Sequence, residues 1–362
     1  MEDERNYWLG FSVFSGVGPM KFKKLLNSFG SAKDAWGAPK SDLEKVIGER
    51  LVPKFDEFRN KFSVEDYAGK LKKKNVSFII LTDSNYPELL KQIRNPPFVL
   101  YVKGDPSTLS ERFGPSVAVV GTRRTTQYGR EVTKILTEEL VASGFIIVSG
   151  LAIGVDAISH KTAIENGGRT VAVFGCGVDC CNPAENLRLY NDIIQKGSVV
   201  ISELPLGHPP TKGSFPSRNR IIAGLSLGVL VTEGAEDSGS LITADYAIKF
   251  GRPVFAVPGP ITSNMSKGPY KLIQKGAKLV TKAEDILQEL GVKGTRNIKS
   301  TKGIKGSTKE ENRILEVLKN EALHFDEIVR KTGLQSSELG SILSLMEVKG
   351  MVRSFEGGMF RI

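Results

Sequence analysis

Six short apolar runs, at residues 117–120, 145–148, 170–174, 198–202, 228–232 and 253–257, alternate with helical segments between residues 116 and 290. That rhythm leaves few folds open. Parallel strands need long crossovers, and a helix in each crossover covers one face of the sheet, so strand–helix alternation predicts an α/β fold with a doubly wound, mostly parallel, Rossmann-like sheet. Two further apolar runs, 76–81 and 98–102, read as strands added to the same sheet. In such sheets ligands sit outside the carboxyl ends of the strands, and every Gly-rich turn of this segment falls there.

A chain of 362 residues exceeds one ordinary core. Residues 1–74 read as a small helical domain of the SAM or helix-hairpin-helix kind, with apolar positions at Trp8, Leu9, Val13, Phe22, Leu25, Leu26, Leu43, Val46 and Ile47. Its Gly16-Val17-Gly18-Pro19 turn fits two roles: a hairpin whose backbone amides touch DNA phosphate, or a plain packing turn. Residues 75–290 form the Rossmann-like body. Residues 291–309 hold Gly, Ser, Thr and Lys with almost nothing apolar, the composition of a flexible linker. Residues 310–362 carry three short amphipathic helices and a terminal hairpin, the pattern of a winged helix.

The net charge of +10 favours an acidic partner, but its distribution is more informative: +4 over residues 1–74, +2 over 75–290, +6 over 291–309 and −2 over 310–362. Any polyanion site in the body must therefore be a local cluster in its loops, while the linker can attract polyanions as a basic tether. The acidic winged helix is poorly suited to duplex DNA, which leaves contact with protein as an equal reading. No apolar run approaches a membrane span and residues 1–11 lack a signal-peptide pattern, so a cytoplasmic protein is expected. Cys176, Cys180 and Cys181 crowd one stretch, with the adjacent pair badly placed for tetrahedral ligation, and His160, His208 and His324 match no zinc spacing. Neither metal nor cofactor is expected; the cysteines read as small buried groups, and His160 as a support for the helix after Ser149-Gly150.

The densest chemical signal is the stretch from Phe215 to Ser226, which sets Arg218, Asn219 and Arg220 at the opening turn of an apolar helix. Helix starts present unpaired N–H groups and a positive dipole, and guanidiniums add forked donors, so the guest such a turn suits is phosphate. Three other loops converge on the same sheet edge: Gly121-Thr122-Arg123, then Ser149-Gly150 through Gly154 to Asp156, then Ser238-Gly239-Ser240. Repeated anion-binding turns in one chain point to an extended polyanion. The full Gly-x-Gly-x-x-Gly fingerprint and any Gly-Lys-Ser/Thr are missing, which disfavours dinucleotide and P-loop sites. A hydrolytic alternative is a nucleotide phosphoribohydrolase of the lysine-decarboxylase-like group, but on that pattern Thr243 occupies the position of the catalytic acid. Glu203 and Glu233, at strand ends, are explained more simply by a helix cap or bonds to loop amides.

Five motifs in order, Gly121-Thr122-Arg123 with Tyr128-Gly129, Ser149-Gly150 to His160, Phe215 to Ala223, Ser238 to Ala244 and Pro258-Gly259, resemble the DNA-processing protein A family, DprA or Smf, over about residues 86–280. The resemblance implies a protein without catalytic activity that binds single-stranded DNA, shields it during natural transformation and delivers it to a RecA-type recombinase, acting as a homodimer. It implies that Arg123 and Lys212 grip phosphate beside Gly121 and Thr122, that Phe215 stacks on a base, and that Ser149, Gly150, Ser238 and Gly239 supply amides and hydroxyls. Gly154, Arg218, Asn219, Arg220 and Ser240 complete the expected DNA-binding set. The chain departs from the usual pattern at Asn182-Pro183-Ala184 and at Tyr270.

Overall fold

The computed structural model describes residues 2–110, 114–292, 306–319, 321–355 and 357–361. Of the basic stretch 291–309, residues 293–305 lie outside the described residues. The chain divides into two units, residues 1–298 and 299–362.

The first unit is built on nine strands: β1 (Val76–Ile80), β2 (Val99–Gly104), β3 (Ser116–Val120), β4 (Ile146–Ser149), β5 (Thr170–Val173), β6 (Val199–Ser202), β7 (Val229–Val231), β8 (Val254–Ala256) and β9 (Lys278–Leu279). Their order in space is β1-β2-β6-β5-β4-β3-β7-β8-β9. From β6 to β9 all pairs are parallel, as the crossover rhythm demands, while β1 and β2 join antiparallel at one edge, with Tyr101 opposite both Phe78 and Ser202. After β3 the chain winds outward through β4, β5 and β6, then returns to β3's other side for β7. The crevice of a doubly wound sheet opens at such a reversal, here above β3 and β7.

Six helices precede the sheet: α1 (Glu2–Val13), α2 (Pro19–Phe29), α3 (Ala32–Gly37), α4 (Lys40–Ile47), α5 (Val52–Lys61) and α6 (Val64–Lys73). Eight more are threaded through it: α7 (Glu88–Lys91), α8 (Gln127–Ala142), α9 (Val155–Glu165), α10 (Leu187–Gln195), α11 (Ser214–Leu225), α12 (Ser240–Lys249), α13 (Lys267–Gln274) and α14 (Ala283–Leu290). Strand β3 shows why both faces must be covered. Val117 and Val119 join the core under α8, α9 and α14, whereas Ala118 and Val120 join the core under α11, α12 and α13. This is the two-residue period of a strand buried on both sides. The helices of residues 1–74 have no separate core: Trp8, Phe22, Phe55 and Tyr67 pack in one cluster with Phe98, Tyr101, Phe174 and Val200. Phe22 and Phe98 stack with centroids 4.1 Å apart and planes 19° from parallel.

The second unit holds α15 (Lys309–Leu318), β10 (Leu323–His324), α16 (Phe325–Thr332), α17 (Ser336–Val348), β11 (Arg353–Phe355) and β12 (Met359–Arg361), with the strands ordered β10-β12-β11. Thr308 and Glu311 form a reciprocal capping box at the start of α15, and Ile314, Leu318, Ile328, Leu339, Leu343 and Met346 fill the core. This is a winged helix. No helix among the described residues is long and apolar enough to cross a membrane, and among them no group of His, Cys, Asp and Glu is placed to hold a metal ion.

Candidate nucleic-acid interface

The loop leaving β3 is pinned before it reaches solvent. Thr122 N–H donates to the carbonyl of Glu233 at 2.8 Å, tying the end of β3 to the end of β7, and its own carbonyl accepts from Val155 N–H at 3.2 Å. The buried Glu233 carboxylate accepts from Thr126 N–H at 2.9 Å and from the Thr126 hydroxyl at 2.5 Å. Thr126 in turn caps α8 by accepting from Gly129 N–H at 3.1 Å. The carboxylate at this strand end thus holds a loop, and Gly129 must lack a side chain because a Cβ there would fall 1.9 Å from Glu233 Oε2.

Above β3 and β7 this loop, the start of α11 and the turn before α12 enclose a cleft of about 660 Å³. Ten of the expected residues line it: Gly121, Thr122, Arg123, Lys212, Phe215, Arg218, Asn219, Ser238, Gly239 and Ser240. Arg123, Arg124 and Lys212 are exposed, and their side chains have no hydrogen-bond or ion-pair partner among the described residues. Three unpaired cations on one concave surface create a positive field that a polyanion would neutralise. Helices α11 and α12 open there on Gly213 and Gly239, so the positive ends of their dipoles add to that field; their first-turn amides are mostly taken, Ser240 N–H by Ser238 Oγ, those of Leu241 and Ile242 by the carbonyls of Ser238 and Gly239, and that of Ser214 by Thr211. Because α11 already opens at Ser214, Arg218, Asn219 and Arg220 stand in its second turn and not in the opening turn expected; Asn219 Nδ2 donates from there to Gly239 O at 3.3 Å, linking α11 to the start of α12. The Ser238 and Ser240 hydroxyls bond each other at 2.8 Å, which leaves one of the two protons for a ligand.

Phe215 is half-buried and belongs to none of the apolar cores. The Arg123 guanidinium lies 5.9 Å from its ring centroid, and a Cβ on Gly175 would stand 3.1 Å from its Cδ1. The alternative for this residue is a hydrophobic staple packed beneath its helix; the ring instead stands at the wall of the cleft, with an arginine over it and a bare backbone beside it.

Four expected DNA ligands lie outside the cleft wall, and a fifth is turned inward. Arg218, only 6% exposed, donates to the carbonyl of Gly150 at 2.8 Å and to that of Val173. It is a strut between β5 and the loop after β4. Arg220 pairs with Glu203 and donates to Asn95 O at 2.7 Å. The Ser149 hydroxyl is fully buried on Val119 O at 2.7 Å, and Gly150 N–H is taken by Asp156 Oδ2 at 3.1 Å. Gly154 has φ +90°, and a Cβ on it would meet Thr122 O at 2.3 Å. Gly154 thus backs the Thr122-Arg123 loop directly and Ser149 the strand that leads into it, while Arg218 and Arg220 tie neighbouring strand ends together. Burial raises the Asp156 carboxyl above the usual range, opposed by the Arg218 charge and by the amides of Ala152 and Gly150. Burial, reinforced by Arg218, drops His160 to about 3. Its Nδ1 lies 2.6 Å from the Thr170 hydroxyl, which itself donates to Ile147 O, so Nδ1 carries the proton. Sequence reasoning passed over two cleft residues, Arg124 and Asp237; only adjacency to Arg123 and Ser238 pointed to them.

The model of the DNA recombination-mediator protein A family matches residues 77–291, and that of the DprA winged helix domain matches 299–358. The chain belongs to the DNA recombination-mediator protein A family. The DNA processing protein DprA of Bacillus subtilis is 47% identical over 60% of this chain and 73% of its own length. The X-ray structure of DNA processing protein A from Streptococcus pneumoniae superposes with a TM-score of 0.68 at 37% identity, covering 78% of this chain and 97% of that one. That of Helicobacter pylori, described for its single-stranded DNA binding mode, gives 0.53 at 32% identity over 59% and 95%. Family membership accounts for the five ordered motifs and for the winged helix together.

Proposed function

We propose that this chain binds single-stranded DNA in the cleft above β3 and β7 and, as a homodimer in the cytoplasm, delivers it to a RecA-type recombinase without turning over nucleotide. The observation that carries the reading is the convergence of three cations without a hydrogen-bond or ion-pair partner among the described residues, the positive ends of two helix dipoles and one ring outside every core. Cations and helix dipoles suit a phosphate backbone of any sequence, and a ring at the lip suits an unstacked base. The single-stranded DNA binding mode described for the Helicobacter pylori relative supports the same ligand class. In this reading residues 75–290 hold the strand, 1–74 brace that body, 291–309 tether, and 310–362 meet protein. The hydrolytic alternative finds no acid where it needs one: Thr243 lines the cleft, while Glu233 and Glu203 are bound to Thr126 and Arg220.

Fluorescence anisotropy with single-stranded and duplex oligonucleotides tests it. Arg123→Ala or Lys212→Ala weakens binding to all sequences and makes the slope of log affinity against log salt shallower, by up to about 0.7 for each phosphate no longer neutralised. Phe215→Ala costs about 1–3 kcal/mol on single strands, leaves that slope nearly unchanged and has little effect on duplex. Equal losses on both forms of DNA, in a well-folded Phe215→Ala protein, would contradict stacking.

A further inference from the structure

Among the cations of the cleft stands one carboxylate that nothing neutralises. Asp237 lines the cleft and is exposed, with no ion pair or hydrogen bond to its side chain among the described residues. Its neighbour Glu236 pairs with Lys271 at 3.2 Å. The two acids share a tight turn, closed by Ser238 N–H on Ala235 O at 3.0 Å. That turn is anchored on its other side, where Gly234 N–H donates to Met265 O at 2.7 Å and Gly268 N–H to Gly234 O at 2.8 Å. Asp237 is therefore presented from a fixed backbone.

A phosphate beside this carboxylate would be repelled, by about 1 kcal/mol at 4 Å in water, which favours a path that keeps the backbone on the cations and turns a base toward Asp237. What a carboxylate accepts is N–H, and on a nucleic acid those donors are on the bases. Guanine presents two adjacent donors, N1–H and the 2-amino group, which match the two oxygens of one carboxylate. Adenine and cytosine offer an amino group beside a ring acceptor, and thymine a single N–H between two carbonyls that the carboxylate repels. We infer that Asp237 faces the Watson–Crick edge of a base in the cleft and gives this protein a preference for guanine over thymine. The inference rests on the proposed single-strand reading of the cleft.

The test uses the full chain and thymidine oligonucleotides of about 15 nucleotides, carrying isolated guanines, isolated inosines or neither. The guanine strand is expected to bind about fivefold tighter than the all-thymidine strand, the low end for a bidentate base contact. Inosine, which keeps N1–H but lacks the 2-amino group, should lose most of that gain in the unaltered protein. Asp237→Asn should abolish the preference. Equal affinity of the unaltered protein for all three strands overturns the inference, as does an Asp237→Asn protein that gains the same factor on every strand, since Asp237 would then be only a repulsive charge. Failure to bind any strand overturns instead the reading of the cleft from which the inference starts.

Discussion

Replacing Arg218 separates a strut from a DNA ligand. Its guanidinium donates to two buried carbonyls, those of Gly150 and Val173. Hydrogen bonds from a charged donor contribute about 1.5–3 kcal/mol each. Removing the group strands both acceptors and leaves the buried Asp156 carboxyl without the positive charge near it, a type of loss that costs about 3–5 kcal/mol. Arg218→Ala should therefore shift the urea unfolding midpoint of the body strongly downward. Arg123→Ala, at an exposed side chain with no hydrogen bond or ion pair among the described residues and only the Phe215 ring beside it, should change stability by less than about 0.5 kcal/mol while weakening DNA binding. Gly150→Ala should reproduce the Arg218 phenotype without touching a charge, because its Cβ would fall 2.1 Å from Arg218 Nη1. An Arg218→Ala protein that unfolds at the unaltered midpoint but no longer binds single strands would refute the strut and make Arg218 a direct ligand of DNA.

Three further outcomes follow from the same geometry. His160 has its folded-state value near 3 against an ordinary 6.5, so the unfolded chain takes up the proton first. Its contribution is complete above pH 6.5 and is lost as pH falls toward 3, at up to about 1.4 kcal/mol per unit. The buried carboxyls of Asp156 and Glu203 are shifted upward and act in the opposite sense, so the histidine is isolated by the difference in unfolding free energy between the unaltered protein and His160→Gln, which should move against the unaltered protein as pH falls from 6.5 toward 3. Glu233→Gln should lower thermal stability and loosen the 121–126 loop, seen as faster amide exchange at Thr126, since a neutral amide accepts more weakly from its N–H and hydroxyl. Truncation after Leu290 should leave most single-strand binding intact at moderate salt, with some loss at low salt from the removed basic stretch; complete loss would move a main DNA site to the C-terminal unit.

The body was legible because its strands repeat one physical demand. Val117 to Val120 is apolar at every position, and only a strand covered on both faces needs that. The antiparallel edge strands were legible as strands but not as antiparallel, since pairing direction depends on a partner, β6, about a hundred residues further along the chain. The loops of the cleft could be found from glycine, serine and arginine placed after strands. Their division into a lining layer and a supporting layer could not. Arginine read as lying at a helix start is taken for a phosphate ligand, yet the helix begins four residues before Arg218, and the partner of Arg220, Glu203, belongs to the end of another strand. For Arg218 a signal was present: positions 218, 221, 222 and 225 follow the i, i+3, i+4, i+7 spacing of one helix face, and Ile221, Ile222 and Leu225 occupy the rest of it. A charge on an apolar stripe is buried by its neighbours. Ser149 and Gly150 were misplaced for a related reason, because small residues after a strand admit a ligand or an internal side chain equally well, and here the occupant is the arginine.

The aromatic seam between the first six helices and the edge of the sheet has a consequence for dissection of the protein. Phe98 and Tyr101 are covered by Trp8, Phe22 and Tyr67, and the same cluster runs on through Phe174 and Cys176 to either side of Gly175, the residue beside the Phe215 ring. A recombinant fragment beginning at residue 75 would carry a wet, sticky flank of large rings and would precipitate or self-associate through it. Loss of strand binding in such a fragment would report a slackened floor beneath Phe215, and would be no sign that the missing helices touch DNA.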